Sequence, residues 1–265
     1  MANWTSLDHL RDAKYWVERD FLDYRNARVG FKIDMDTGFV TYDERPNLEE
    51  HYRKSYRRNV QLNNIVTTNR KLEYHKQFLR PLIEGIKKEQ ASVLDFGCAF
   101  GSTLGWFRKI GWATRGYELT DGFVNYGRNV MGLDIVQEKK PLPEDHGKHD
   151  IVICYHVLEH VTEPLELLED LTKCLKPGGV IELSVPVWFG VLDEPSGNTT
   201  VDFENLFHID HIQVFSHNSI RALIDAAGLK IVKEDTVTYG HTFLLSPDNG
   251  REPEYGKDDP TEIIA

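Results

Sequence analysis

The chain is short of cysteine, of long apolar runs and of positive charge, and each shortage removes a class of protein. Its 265 residues hold three cysteines, Cys98, Cys154 and Cys174. They form no CxxC pair, so neither a secreted disulfide framework nor a zinc ribbon is expected, and a reducing cytoplasm is the default. No apolar run is long enough to span a bilayer, so no membrane partner is expected. The opening stretch "MANWTSLDHLRDAKYW" is polar and charged, which argues against a secretory leader there. Lys and Arg number 31 against 42 Asp and Glu, a net charge of -11. That balance lacks the electrostatic footprint of a general nucleic-acid binder. One basic cluster, Arg53, Lys54, Arg57 and Arg58, reads first as a solvated helix face. Internal repeats are missing too, which excludes solenoids.

What is present is an ordinary globular composition, 40% hydrophobic and 28% charged. Residues 1–30 read as helix. "GFKIDMDTGFVTYDERP" alternates apolar and polar residues and reads as a short hairpin. Asn47 caps one helical stretch, and a second follows, with Pro81 as a candidate kink. From Ala91 the texture changes. Strands in "ASVLDF", "ATRGYEL", "LDIVQ", "DIVICYHV" and "VIELSVPV" alternate with helices in "GSTLGWFRKIG", "DGFVNYGRNVMG", "TEPLELLEDLTKCLKPGG" and "SHNSIRALIDAAG". Two strands close the pattern in "LKIVKEDTVTYGHTFLLS". Alternation of this kind predicts an α/β fold with a doubly wound, mainly parallel sheet. The connection at 185–215 is too long for an ordinary loop and too aromatic for disorder, so it reads as a functional lid. The expected organisation is an N-terminal region at 1–85, the main domain at 86–247 and a loose acidic tail at 248–265.

The first strand–helix turn lies in "SVLDFGCAFGSTLGWF", Ser92 to Phe107. In open α/β sheets ligands gather beyond the carboxyl ends of the strands. Asp95, Gly97 and Gly101 occupy such an end. Glycines there let the chain turn tightly and let a ligand approach backbone N–H groups at a helix N-terminus. Glu118 ends the next strand about 20 residues on, where a carboxylate can accept two hydrogen bonds from a ribose diol. The spacing is not GxGxxG, so a nicotinamide dinucleotide is a poor match.

This turn, Asp95-x-Gly97-x-x-x-Gly101 with Glu118 in "GYEL", resembles motif I of the class I S-adenosylmethionine-dependent methyltransferases. The middle position, often glycine in that family, is Ala99. "DIVICYHVLEHV", "LLEDLTKCLKPGGVIELSVP" and "IRALIDAAGLKIV" resemble the family's later strands and helices in order, so the likeness covers about 91–246. It implies a seven-stranded Rossmann-like methyltransferase sheet with a helical N-terminal cap and an inserted lid. It implies S-adenosylmethionine as cofactor, held by Asp95, Gly97, Cys98, Ala99, Gly101, Ser102, Glu118, Leu119 and Tyr155. The upstream "TGFVTYDERPNLEEHYRKSYR" resembles the lead-in of a branch with sugar and other small-molecule methyltransferases. Part of that branch carries a cysteine zinc site before this stretch; here no cysteine precedes Cys98.

"HVLEH", His156 to His160, is open to three readings. On a helix it would be the HxxEH of inverted zinc peptidases, but the apolar run before it argues for a strand. Ubiquinone-type O-methyltransferases place an acid where His156 stands, and that acid with the Glu-His pair can hold a divalent metal. Mg²⁺ prefers oxygen ligands, so with His156 there no metal is expected. The third reading has Tyr155 and His156 lining the methyl-transfer site while Glu159 and His160 set the turn. A neutral histidine titrates in the right range to take a proton from the acceptor. His156 is the first candidate base and His211 the second. His208, Tyr52 and Tyr56 are candidate acceptor-binding residues. The expected partner is a small acceptor methylated on O, N or C: a sugar, a nucleotide-linked sugar or a metabolite. The alternatives are a protein or nucleic-acid acceptor, or a non-catalytic partner-binding module. A homodimer stays open.

Overall fold

The computed structural model describes residues 16–22, 28–34, 40–42, 62–87, 90–188, 211–237 and 240–248. Three strands come first: Trp16–Leu22 (β1), Arg28–Asp34 (β2) and Val40–Tyr42 (β3). β1 and β2 correct the helical reading at 16–22 and 28–30; the rest of 1–30 lies outside the described residues. β1 pairs antiparallel with β2 from Trp16↔Asp34 to Leu22↔Arg28. The aromatic and β-branched residues of "WVERDFL" and "RVGFKID" suit a pleated surface, and pairing with the next strand overrides local helical preference. The hairpin expected after residue 30 is present as β2–β3, with Phe31↔Tyr42 and Ile33↔Val40 in register.

Leu62–Phe78 (α1) and Arg80–Gly85 (α2) follow. Pro81 lies in the first turn of α2, where its missing N–H costs nothing, so it starts a helix rather than bending one. The alternating part then runs Ser92–Phe96 (β4), Ser102–Lys109 (α3), Ala113–Tyr117 (β5), Asp121–Asn129 (α4), Ile135–Val136 (β6), His149–Tyr155 (β7), Pro164–Lys173 (α5) and Leu175–Val185 (β8). Val187–Trp188 (β9), Gln213–Ser216 (β10), His217–Ala226 (α6), Leu229–Val237 (β11) and Gly240–Pro247 (β12) complete it. Seven strands form one sheet in the order β11-β12-β8-β7-β4-β5-β6. β4, β5 and β6 pair in parallel, while β12 runs antiparallel to β8 and β11. This is the α/β class expected from the sequence.

A second sheet has the order β1-β2-β3-β10-β9. β9 and β10 are the two ends of the connection read as a lid, and they pair in parallel, Phe215↔Val187 and Ser216↔Trp188. The ends of that connection are therefore sheet; residues 189–210 between them lie outside the described residues. α5 also stops earlier than expected. The carbonyl of Cys174 accepts both Lys148 N–H and His149 N–H at 3.0 Å, and Pro177–Gly179 falls within β8.

By internal contacts the chain divides into two units. One takes residues 52–153 and 174–180. Its core includes Val93, Leu94, Leu104, Phe107, Ile151 and Val152, all fully buried. β4 is buried at every position, as a parallel strand covered on both faces must be. The other unit takes residues 1–51, 154–173 and 181–248. Leu158, Leu168, Leu183, Phe215, Leu223 and Phe243 form its core. Its α6 begins with a capping box: Ser216 accepts from Ser219 N–H at 3.0 Å, and Ser219 Oγ accepts from Ser216 N–H at 2.8 Å. Among the described residues no helix is long and apolar enough to cross a membrane.

Candidate active site

After β4 the chain reverses through three left-handed residues, Gly97, Ala99 and Gly101, with φ of 77°, 49° and 79°. Gly97 N–H and Cys98 N–H donate to the carbonyl of Tyr117 at 2.8 and 3.0 Å, and Gly101 N–H donates to Cys98 at 2.9 Å. Ala99 pays about 1–2 kcal/mol for a conformation glycine would adopt freely. Its N–H donates to Glu118 Oε2 at 2.9 Å. Glu118 Oε1 accepts from Leu119 N–H at 2.9 Å and Thr120 N–H at 2.8 Å. The carboxylate thus bolts the end of β5 to the turn after β4. It does so with three backbone bonds, a role that sequence reasoning, which read only a ligand contact, did not foresee. At Gly101 the requirement is doubled, because an added Cβ would stand 2.3 Å from Leu133 Cδ1.

Asp95 is buried in β4, in register with Gly116 of β5. Burial above all, then the charges of Asp95 and Glu118, push the Cys98 thiol well up, so Cys98 is a packing residue and not a nucleophile. Ser102 opens α3, whose N-cap Gly101 offers no side-chain cap. An uncapped helix N-terminus beside a carboxylate with acceptor capacity left suits a polar ligand carrying a ribose. The residues present therefore fit an adenosyl cofactor.

The second group of predicted residues follows β7. His156 has a left-handed φ of 54°, and its N–H donates to Ser184 at 2.9 Å. Ala99 and His156 are the only non-glycine residues with positive φ among those described. Leu158–His160 then forms one 3-10 turn, which removes the helix an inverted zinc peptidase would need. Gln213 in β10 holds that turn, donating from Nε2 to the carbonyls of Leu158 at 2.9 Å and Val161 at 2.6 Å. The turn points Glu159 inward, with 0% exposure. Around its Oε1 stand His156 Nδ1 at 3.3 Å, His160 Nε2 at 3.8 Å and His211 Nε2 at 4.0 Å. Burial pushes this carboxyl up, but the three imidazoles outweigh it and hold it at about 2.

The Tyr155 ring lies tilted against His156, 4.6 Å between ring centroids. Its phenol is pushed up to about 12 by burial, then by the charge of Glu182, with a smaller push from Glu159. His160 and His211 face each other at 4.9 Å. Glu159, His160 and His211 bring one donor atom each within 4.8 Å, the one such trio of His, Cys or carboxylate groups among the described residues. So the structure brings His156 and His211 together around a residue the sequence reading used only to set a turn. Gln213 was missed as well. Its signal was a lone amide among Ile212, Val214 and Phe215. His208, Tyr52 and Tyr56, with the basic cluster at 53–58, lie outside the described residues.

Residues 66–234, well over half of the chain, match a family described as methyltransferase domain. The chain is 32% identical over 119 residues to a ubiquinone biosynthesis O-methyltransferase of Hydrogenovibrio crunogenus, covering 40% of this chain and 49% of the relative. It is 26% identical over 126 residues to the one from Colwellia psychrerythraea, covering 43% and 51%. The chain thus spans about half the length of these curated relatives. In fold it is similar to a magnesium protoporphyrin IX methyltransferase of Synechocystis PCC 6803 solved with bound SAH, at TM-score 0.56, 17% identity and coverage of 76% and 98%. A SAM-dependent methyltransferase of Leishmania major gives TM-score 0.55 at 14% identity, covering 75% and 81%. The glycine turn with its spaced acid, the sheet order and the family match agree: this chain belongs to the class I S-adenosylmethionine-dependent methyltransferases.

Proposed function

We propose that the chain methylates a hydroxyl of a small acceptor, as a soluble cytoplasmic enzyme. The observation that carries this reading is the set of imidazoles gathered at the end of β7 around a buried carboxylate. An acceptor oxygen must lose a proton, and a neutral imidazole is the side chain suited to take it near pH 7. The O-methyltransferase names of the sequence relatives support oxygen as the acceptor atom.

In this reading Asp95, the turn Gly97–Gly101, Ser102, Glu118, Leu119 and Tyr155 hold the cofactor. When bound, S-adenosylmethionine would supply an electrophilic methyl carbon on a sulfonium, its sulfur leaving with the C–S bonding pair as the acceptor oxygen bonds to that carbon. His156 takes the acceptor's proton, with His211 as the second candidate. His208, Tyr52 and Tyr56 contribute to the acceptor side, within an N-terminal region at 1–85 that precedes a methyltransferase domain at 86–247. No metal takes part. Position and exclusion of water supply most of the rate.

The test is methyl labelling. Full-length chain is incubated with tritiated S-adenosylmethionine and cell extract separated by size. The expected result is label in the small-molecule fraction as a methyl ether, reduced on the order of 10²-fold or more by His156→Ala. Label confined to protein or RNA, or to carbon or nitrogen of the product, contradicts the proposal.

A further inference from the structure

Glu159 is fully buried, yet neither of its oxygens has a well-aligned hydrogen bond among the described residues. A buried carboxylate in that state is costly, and a fold keeps one where neighbouring groups use its charge. The groups facing it are His156 on the same turn, His160 beside it, His211 just before β10, and the more distant phenol of Tyr155. They are not equivalent. His160 and His211 have 12% and 9% side-chain exposure, whereas His156 has 31%. His156 is also nearest to the carboxylate, through Nδ1. Its backbone is held left-handed and tied to Ser184, which fixes the point from which the ring projects.

We infer that Glu159 is the positioning residue of the acceptor-side base: it takes the Nδ1–H of His156 and so leaves Nε2 as the nitrogen with the free lone pair. This rests on the reading of His156 as proton acceptor. A carboxylate behind an imidazole fixes its tautomer and orientation and stabilises the imidazolium once the proton has arrived. The proton passes from the acceptor hydroxyl to Nε2, and the positive ring then faces the Glu159 carboxylate. His160 and His211, one step further out, keep that carboxylate ionised. The spacing favours this arrangement over a shared cation. Ligands bonded at about 2.1 Å to one ion stand roughly 3.0–3.4 Å apart, while the Glu159 distances to His160 and His211 are 3.8 and 4.0 Å.

The test is a long-range ¹⁵N–¹H imidazole spectrum of the full-length, cofactor-free chain at pH 8, with His156 assigned through His156→Gln. The expected result is a proton on Nδ1 and an unprotonated Nε2 in the wild type. Glu159→Gln should release the ring to the other tautomer or a mixture, and Glu159→Asp should restore part of the wild-type pattern. Diethyl pyrocarbonate, which attacks a lone-pair nitrogen, should modify His156 several-fold more slowly in Glu159→Gln. Should Glu159→Gln not fold, the wild-type spectrum decides alone. A proton on Nε2 in the wild type, or the same tautomer in both proteins, overturns the inference. So does stoichiometric binding of Zn²⁺, Mn²⁺ or Mg²⁺ that moves the His160 and His211 resonances, because the cluster would then be a cation site. None of these readouts involves methyl transfer. A locked ring without methylated product would sink the functional proposal and leave the positioning intact.

Discussion

Two buried carboxylates, Asp145 and Glu159, show how similar burial can serve different ends. Asp145 ends the short turn before β7 and is 5% exposed. Arg115 Nε donates to it at 3.1 Å, the hydroxyl of Tyr117 donates to it, and His149 Nε2 stands 3.6 Å away. Arg115 also reaches Asp134 at 2.8 Å and Glu144 at 2.5 Å. Burial and the bond to Asp145 push the Tyr117 phenol up to about 12. Asp145 is therefore faced by a permanent cation and a phenol that stays protonated near neutral pH. Glu159 is faced at close range by three imidazoles, side chains that can accept and release a proton. The first web is anchored by a permanent cation, with His149 as its one imidazole, and holds a strand edge together. The second is arranged so that a proton can come and go.

Removing each carboxylate should separate these roles. Asp145→Ala leaves the buried Tyr117 phenol without its acceptor and takes one of three carboxylates from Arg115, and should cost about 1–3 kcal/mol of stability in urea unfolding. Cofactor affinity of the folded fraction should stay within about twofold. Loss of affinity larger than the loss of stability would mean the two regions are not distinct in role.

The pH dependence gives the next largest contrast. Glu159 has its folded value depressed from 4.5 to about 2. Its contribution is therefore present above pH 4.5 and lost as pH falls from 4.5 to 2, where the unfolded chain binds the extra proton first. Glu159→Gln should flatten that part of the stability curve, followed by urea unfolding at pH 3–5. His149 is displaced in the other way, lowered from 6.5 mainly by burial. The native state favours its neutral ring, so its contribution is complete above pH 6.5 and falls away below it. His149→Gln should remove this loss just below pH 6.5 and leave the segment between 4.5 and 2 in place.

The smallest effect is expected at the turn. Ala99→Gly relieves a left-handed alanine and should leave stability unchanged or raised by up to about 1 kcal/mol. A loss there would mean that the methyl group packs in a way that outweighs its strain.

The sheet was legible because its strands carry their own signal. "DIVICY" is apolar after its opening acid and "SVLDF" apolar apart from Ser92 and Asp95, and both are buried along nearly their whole length. The glycine turn and Glu118 were legible from spacing. β1 was not, since "WVERDFL" has no clean alternation and becomes a strand through pairing with residues 28–34. Glu159 was visible as a residue but not as a centre. What makes it one is His211, 52 positions away, and a turn fixed by Gln213 across a similar distance. Local pattern carries no record of such contacts.

The most direct measurement is calorimetric titration of the wild type and of Glu118→Ala with S-adenosylmethionine and, separately, with NADH. The account predicts selective binding of S-adenosylmethionine, weakened by about 1.5–3 kcal/mol in the variant, since one charged acceptor with three backbone donors is lost from the turn. Absence of binding to the wild type, or binding indifferent to Glu118, would contradict it and leave the bolted turn as a feature of the fold alone.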